Sequence, residues 1–127
     1  MTAAAAAAKA AGTSVAIAVI DVNGDLVAFK RMDGASAQAV TSSQGKARAA
    51  ILFGVPTKQI QDAANAGNPI SVTVTMPPPL GGAQELTPFQ GGLPVMKEGK
   101  IVAGIGVGGS APANDEKFAQ AGIDGLK

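Results

Sequence analysis

The sequence predicts an α+β fold in which a five-stranded antiparallel sheet is covered by helices. Two turn dipeptides, Asn23-Gly24 and Glu98-Gly99, each separate two β-rich runs, so two hairpins are expected. A third observation supplies the fifth strand: Ile70, Val72 and Val74 alternate with Ser71, Thr73 and Thr75. Strands are expected over 14–21, 25–32, 70–75, 93–97 and 100–108. Helices are expected over 3–11, 36–53, 57–64 and 114–125.

Taken in order, Thr2 can cap an alanine helix from Ala3 to Ala11 that Gly12 ends. Nine residues are too few for a helix to stand alone, so this one must dock. A two-residue turn at Asn23-Gly24 sets Ile20 opposite Val27 and Ala18 opposite Phe29. Asp33-Gly34 breaks the second strand, and Ser36 can cap the next helix, whose inward face is Val40, Ser43, Ala47, Ala50 and Ile51. Gly54 and Pro56 stop it, and Thr57 opens a short third helix. Asn65–Pro69 is a turn cluster, and Pro77-Pro78-Pro79 ends any strand ladder, because proline donates no backbone hydrogen bond. The segment from Pro77 to Gly92 has neither period and reads as a surface loop or as a lid over a pocket. The stretch from Gly91 to Gly122 organises the rest: strand, tight turn, strand, glycine-rich exit and a helix opening near Asn114.

A chain of 127 residues with 46% hydrophobic content has the size of one domain, 1–127. With only four Phe, no Trp or Tyr and 17 Gly, its core must be built from small side chains. Helices must therefore lie close to the sheet, and a second copy of the chain is expected to complete the burial. The formal net charge of +1, without like-charge runs, points away from nucleic acid and from anionic membranes. No cysteine and no histidine are present, which removes thiol chemistry, the commonest general base and the commonest metal ligand. No metal site is expected. Residues 1–12 lack the pattern of a signal peptide, so a cytoplasmic location is expected.

Gly104-Ile-Gly106-Val-Gly108-Gly109 has the spacing of a dinucleotide-binding turn, but the following helix opens with Asp115-Glu116, which would repel phosphate. Those acids suit the positive end of a helix dipole, and the glycines suit close approach of another backbone.

The ordered set of residues 15–35 (VAIAVIDVNGDLVAFKRMDGA), GKARAA (45–50), FGVPT (53–57), GGLPV (91–95) and residues 99–122 (GKIVAGIGVGGSAPANDEKFAQAG) resembles the GlcG/HbpS-like family. That family includes the C-terminal domain of PduO-type proteins and is often labelled haem-degrading. The resemblance implies a profilin-like fold, homo-oligomers, and in some members haem binding. Here His, Cys and Tyr, the strong axial ligands, are missing, leaving Met32, Met76, Met96, a lysine or a hydroxyl.

Few residues can do chemistry. Arg31, Asp33 and Lys46 match the family pattern, and a helix packed over the first hairpin would bring Lys46 toward the Arg31–Asp33 corner. Lys46, Asp33 and Glu85 are the candidate catalytic groups: a buried lysine can serve as a base, and Arg31 can hold a carboxylate through two hydrogen bonds. The plainer reading of the same corner is a structural salt bridge. Phe89 and Leu93 would wall a pocket, and Gly91 and Gly92 would let a ligand reach the backbone. Two functional classes follow: a binding module for haem, a corrinoid or another planar hydrophobic ligand near a subunit interface, or an isomerase- or lyase-type enzyme acting on a small organic acid.

Overall fold

The computed structural model describes residues 1–66, 73–75, 83–85, 87 and 89–126. Its elements are α1 (Thr2–Ala10), β1 (Ala16–Asp21), β2 (Leu26–Arg31), α2 (Ala37–Phe53), α3 (Thr57–Asn65), β3 (Thr73–Thr75), β4 (Ala83–Glu85), β5 (Gly92–Lys97), β6 (Lys100–Gly108) and α4 (Pro112–Asp124). The main sheet is antiparallel with strand order β2-β1-β6-β5. Among the described residues it therefore has four strands where five were expected. Residues 73–75 are extended as expected, but they pair with β4, Thr73 opposite Glu85, in a separate two-stranded sheet. Alternation detects an extended backbone without naming its neighbour, and here the partner is the strand next along the chain. The rest of the expected third strand, 70–72, and most of the segment 77–88 lie outside the described residues. Among the described residues no helix is long and apolar enough to cross a membrane.

Both turn dipeptides lie in hairpins, with different geometry. Glu98 and Gly99 have φ of 53° and 78°, the two positive values that a type I′ turn requires, and Lys97 pairs with Lys100. At the other hairpin only Gly24 has positive φ, 89°. The Asp21 carboxylate accepts the N–H groups of Asn23 and Asp25 at 2.9 and 3.0 Å. This wraps the chain into a three-residue loop, Val22–Gly24, closed by the Asp25 carbonyl accepting Asp21 N–H at 2.9 Å. The extra loop residue shifts the register between Val19 and Ile20. Ala18 faces Phe29 as expected, but Ile20 faces Leu26 rather than Val27.

Helix ends follow local chemistry. Ser36 Oγ accepts the Ala39 N–H at 3.1 Å, and Gly54 closes α2 at φ 69°. Two ends differ from expectation. Met1 rather than Thr2 occupies the N-cap of α1, with no side-chain cap bond, and α4 begins at Pro112 because proline, having no N–H to lose, suits the first helical turn.

The helices sandwich the sheet. On one face α1 and α4 cover Val15, Ile17, Leu93, Ile105 and Val107, with Phe118 the one large aromatic in that cluster. On the other face α2 lies directly over β6, where the glycines face it. A Cβ added to Gly106 would run into the carbonyl oxygen of Ser43, and one added to Gly108 into Ser42 Oγ. The glycine-rich spacing thus serves helix-to-sheet contact, and that contact carries Lys46 down to the sheet.

Candidate functional site

Lys46 lies on the sheet-facing side of α2 and is 4% exposed. A buried ammonium requires partners, since desolvation of an unpaired charge is prohibitive. Its Nζ donates to Asp115 Oδ2 and to the Val107 carbonyl, each at 2.9 Å. Asp115, in the first turn of α4 and 1% exposed, also accepts the Ser110 N–H on Oδ1 at 3.0 Å. Burial pushes the Asp115 carboxyl above the usual aspartate range, while the Lys46 charge, the Lys46 hydrogen bond and the Ser110 N–H pull it back.

The segment entering β5 makes room for this pair and is itself pinned. A Cβ on Gly91, at φ 134°, would lie 2.9 Å from both Lys46 Nζ and Asp115 Cβ. A Cβ on Gly92 would strike the Lys46 carbonyl. Thr57 Oγ1 accepts the Gly92 N–H at 2.8 Å and donates to its carbonyl at 3.3 Å. Gln90 donates through its backbone N–H to Gln61 Oε1 and through its side chain to Glu116 Oε2, both at 2.8 Å. Residues 90–92 are thereby tied to α3 and α4.

Above the pair opens a cavity of about 240 Å³ lined by Lys46, Asp115, Ser36, Ser42, Ser110 and Phe89. An ammonium has three N–H bonds, and described acceptors account for two of those on Lys46. The third has no acceptor among the described residues. The floor of the cavity thus offers a fixed positive donor beside a carboxyl whose proton affinity is raised, with hydroxyls on the walls.

A second cavity, of about 540 Å³, is lined by Lys9, Ser14, Lys30, Arg31, Met32 and Asp33. The two abut at one end of the sheet: Gly109 lines the first, and a Cβ on it would lie 2.9 Å from the Ser14 carbonyl.

These positions revise the expected constellation. Lys46 pairs with Asp115, not with Asp33, because α2 lies over β6 and points Lys46 toward α4 instead of toward the β2 corner. Arg31 and Asp33 are exposed, line the second cavity and form no ion pair with each other among the described residues. Glu85 ends β4, and its side chain lies outside the described residues. Phe89 is 57% exposed and lines the Lys46 cavity. Gly91 and Gly92 are packed against Lys46 and α2 rather than left open to a ligand, and Leu93 belongs to the core under α1 and α4. Asp115 is the functional group that sequence reasoning passed over as a dipole-complementing acid. Its signal was an acid in the first turn of a helix after a glycine-rich exit, which names a helix start but not a lysine 69 residues away. Ser36, Ser42 and Ser110 carried no signal beyond capping and turn formation.

The layers, with one helix over one sheet face and two over the other, define an α+β architecture, and the two cavities among the described residues lie at one sheet end. Residues 1–124 match the family described as haem degrading protein HbpS-like, and the chain belongs to that family. It is 38% identical over 94 residues to the protein GlcG of Escherichia coli K12, an alignment covering 74% of this chain and 63% of GlcG. The chain thus spans less than two thirds of that relative's length. A crystal structure of HbpS from Streptomyces reticuli, solved as a double mutant, is 32% identical with a TM-score of 0.80, covering 99% of this chain and 80% of that one. The crystal structure of a PduOC:haem complex has the same fold, with a TM-score of 0.82 at 21% identity over 97% of this chain and 86% of that one.

Proposed function

We propose that this protein is a small-molecule-binding member of its family, taking its ligand at the cavity above Lys46 and Asp115. The observation that carries this reading is the spare N–H of a 4% exposed lysine at the floor of a hydroxyl-lined cavity. Such a donor, already desolvated and held by two acceptors, recognises a carboxylate or carbonyl oxygen with little reorganisation. The family description and the haem complex of a structural neighbour support haem, and a corrinoid or another planar hydrophobic ligand is the wider class. A tetrapyrrole exceeds 240 Å³, since pockets that enclose drug-sized ligands start near roughly 300 Å³. Only a carboxylate-bearing edge would enter, with the ring against the exposed Phe89 and a neighbouring subunit.

The residues at this cavity offer haem iron none of its strong axial ligands. The chain has no His or Cys and no Tyr, Met32 lines the other cavity, Met96 is exposed and Met76 lies outside the described residues. The proposal covers one domain acting as a cytoplasmic homo-oligomer, without nucleic-acid or membrane partners. Haem titration followed by optical spectra tests it: saturable binding without the bands of a histidine-ligated iron, weakened by Lys46→Met, is expected. Absence of saturable binding would remove haem as the ligand.

A second reading is favoured by the raised proton affinity of Asp115 beside Lys46. A pair that can hold or pass a proton suits isomerase- or lyase-type chemistry on a small organic acid, for which 240 Å³ is room enough. Solvent deuterium exchange into candidate acids, followed by NMR and lost in Asp115→Asn, would establish it.

A further inference from the structure

The geometry points to a second site, at the cavity bounded by Lys9, Lys30 and Arg31, that takes a small multiply charged oxyanion such as a di- or tricarboxylate or a phosphate ester. It stands apart from the Lys46 reading. It is an open hollow of about 540 Å³, which a small polyanion could enter from solvent. Its lining carries three cations against the single carboxylate of Asp33, a local excess of two positive charges on a chain whose whole net charge is +1.

Those cations are not spent on one another's partners. The ion pairs among the described residues are Lys46–Asp115 and Lys58–Asp62, so none of Lys9, Lys30 and Arg31 is neutralised at contact distance, not even by Asp33. Arg31 is also oriented. Its Nε donates to the Ala35 carbonyl at 3.1 Å, and Ala35 is itself 3% exposed, so the guanidinium is anchored to a buried backbone group. Its terminal NH₂ groups remain for bidentate recognition of an oxyanion. Lys9 comes from the last turn of α1, where it also offsets the negative helix end, and the hydroxyls of Thr13 and Ser14 add neutral donors. Lys9 from α1, Thr13 and Ser14 before β1, and Lys30 and Arg31 from β2 thus border one hollow, with Lys30 and Arg31, consecutive on the edge strand, reaching it from opposite sides of that strand.

Titration of the ¹⁵N-labelled protein with citrate, and separately with inorganic phosphate, tests this. Saturable amide shifts are expected at Gly12, Ser14 and Gly34. Arg31→Gln should weaken binding at least about tenfold, because it removes both charge and fork, and Arg31→Lys should recover only part of the loss. Lys97→Gln, an exposed cation at the far hairpin, should change nothing. Tighter saturation by citrate marks polycarboxylates as the ligand class, and tighter saturation by phosphate marks phosphate esters. Shifts that never saturate, that spread equally to the Lys97–Lys100 turn, or that persist unchanged in Arg31→Gln would overturn the assignment.

Discussion

Lys46 and Asp115 stand 69 residues apart in the chain, yet Nζ and Oδ2 meet at 2.9 Å with the two side chains 5% and 1% exposed. This pair joins α2 to α4 through the end of β6, because the Val107 carbonyl takes a second hydrogen bond from the same nitrogen. It also forms the floor of the candidate site, so stability and the proposed ligand recognition share one set of atoms.

Breaking the pair from one side should be costly and asymmetric. Asp115→Ala strands a buried ammonium and should destabilise by about 3–5 kcal/mol. Lys46→Met should cost less, because the carboxyl left behind can take up a proton and become neutral. The double variant Lys46→Met/Asp115→Leu should regain most of the loss. Urea midpoints of the four proteins check the order, and an Asp115→Ala cost under about 1 kcal/mol would show that water or rearrangement relieves the charge.

The pH dependence has a definite sign. The folded-state pKa of Asp115 lies above its ordinary value of 3.8, so the native state binds that proton more tightly than the unfolded chain. Its contribution to stability is fully present below the ordinary aspartate range and is lost as pH rises through the raised native value. Relative to Asp115→Asn, the parent should therefore lose stability between acid and neutral pH. A parent that gains on the variant over that range would mean that attraction to Lys46 outweighs burial.

Glycine replacements should separate crowding from backbone strain. Gly106→Ala places a methyl group against the Ser43 carbonyl, rigid backbone on both sides, and should cost about 1–3 kcal/mol or more. Gly24→Ala meets nothing within 4 Å, but its φ of 89° disfavours a side chain, so about 1 kcal/mol is expected. Thermal unfolding should rank Gly106→Ala below Gly24→Ala, and equal midpoints would contradict the close seat of α2.

Assembly should run through the β2 edge. Leu26 and Val27, which open β2, and Val22 in the loop before it are 46%, 61% and 54% exposed, apolar groups at an edge strand whose outer backbone groups have no ladder partner among the described residues. Sedimentation at micromolar concentration should show a dimer or larger species, and Val27→Lys should shift it toward monomer. A parent that sediments as a monomer would remove the shared-subunit part of the ligand proposal.

Local rules carried far into this molecule. Glu98-Gly99 could be placed in a hairpin because two adjacent positive-φ residues are a property of the turn itself, and Ser36 and Gly54 mark the ends of α2 for equally local reasons. The register error at Ile20 had a local cause too, but a subtler one. The carboxylate of Asp21 competes for the turn N–H groups, and a residue pattern that names a turn does not measure its length.

The sequence by itself determined the helix and strand periods, both hairpins, the absence of His and Cys, and the small-residue face that seats α2 on the sheet. Only the tertiary structure decided which strand residues 73–75 joined, which acid Lys46 met, and that Arg31 and Asp33 would line a cavity of their own. Periodicity and capping act over a few residues, whereas the partner of a buried charge is set by where two helices come to rest against β6. That resting place depends on glycines at 91, 92, 106 and 108, whose missing side chains leave room for contacts the sequence does not name.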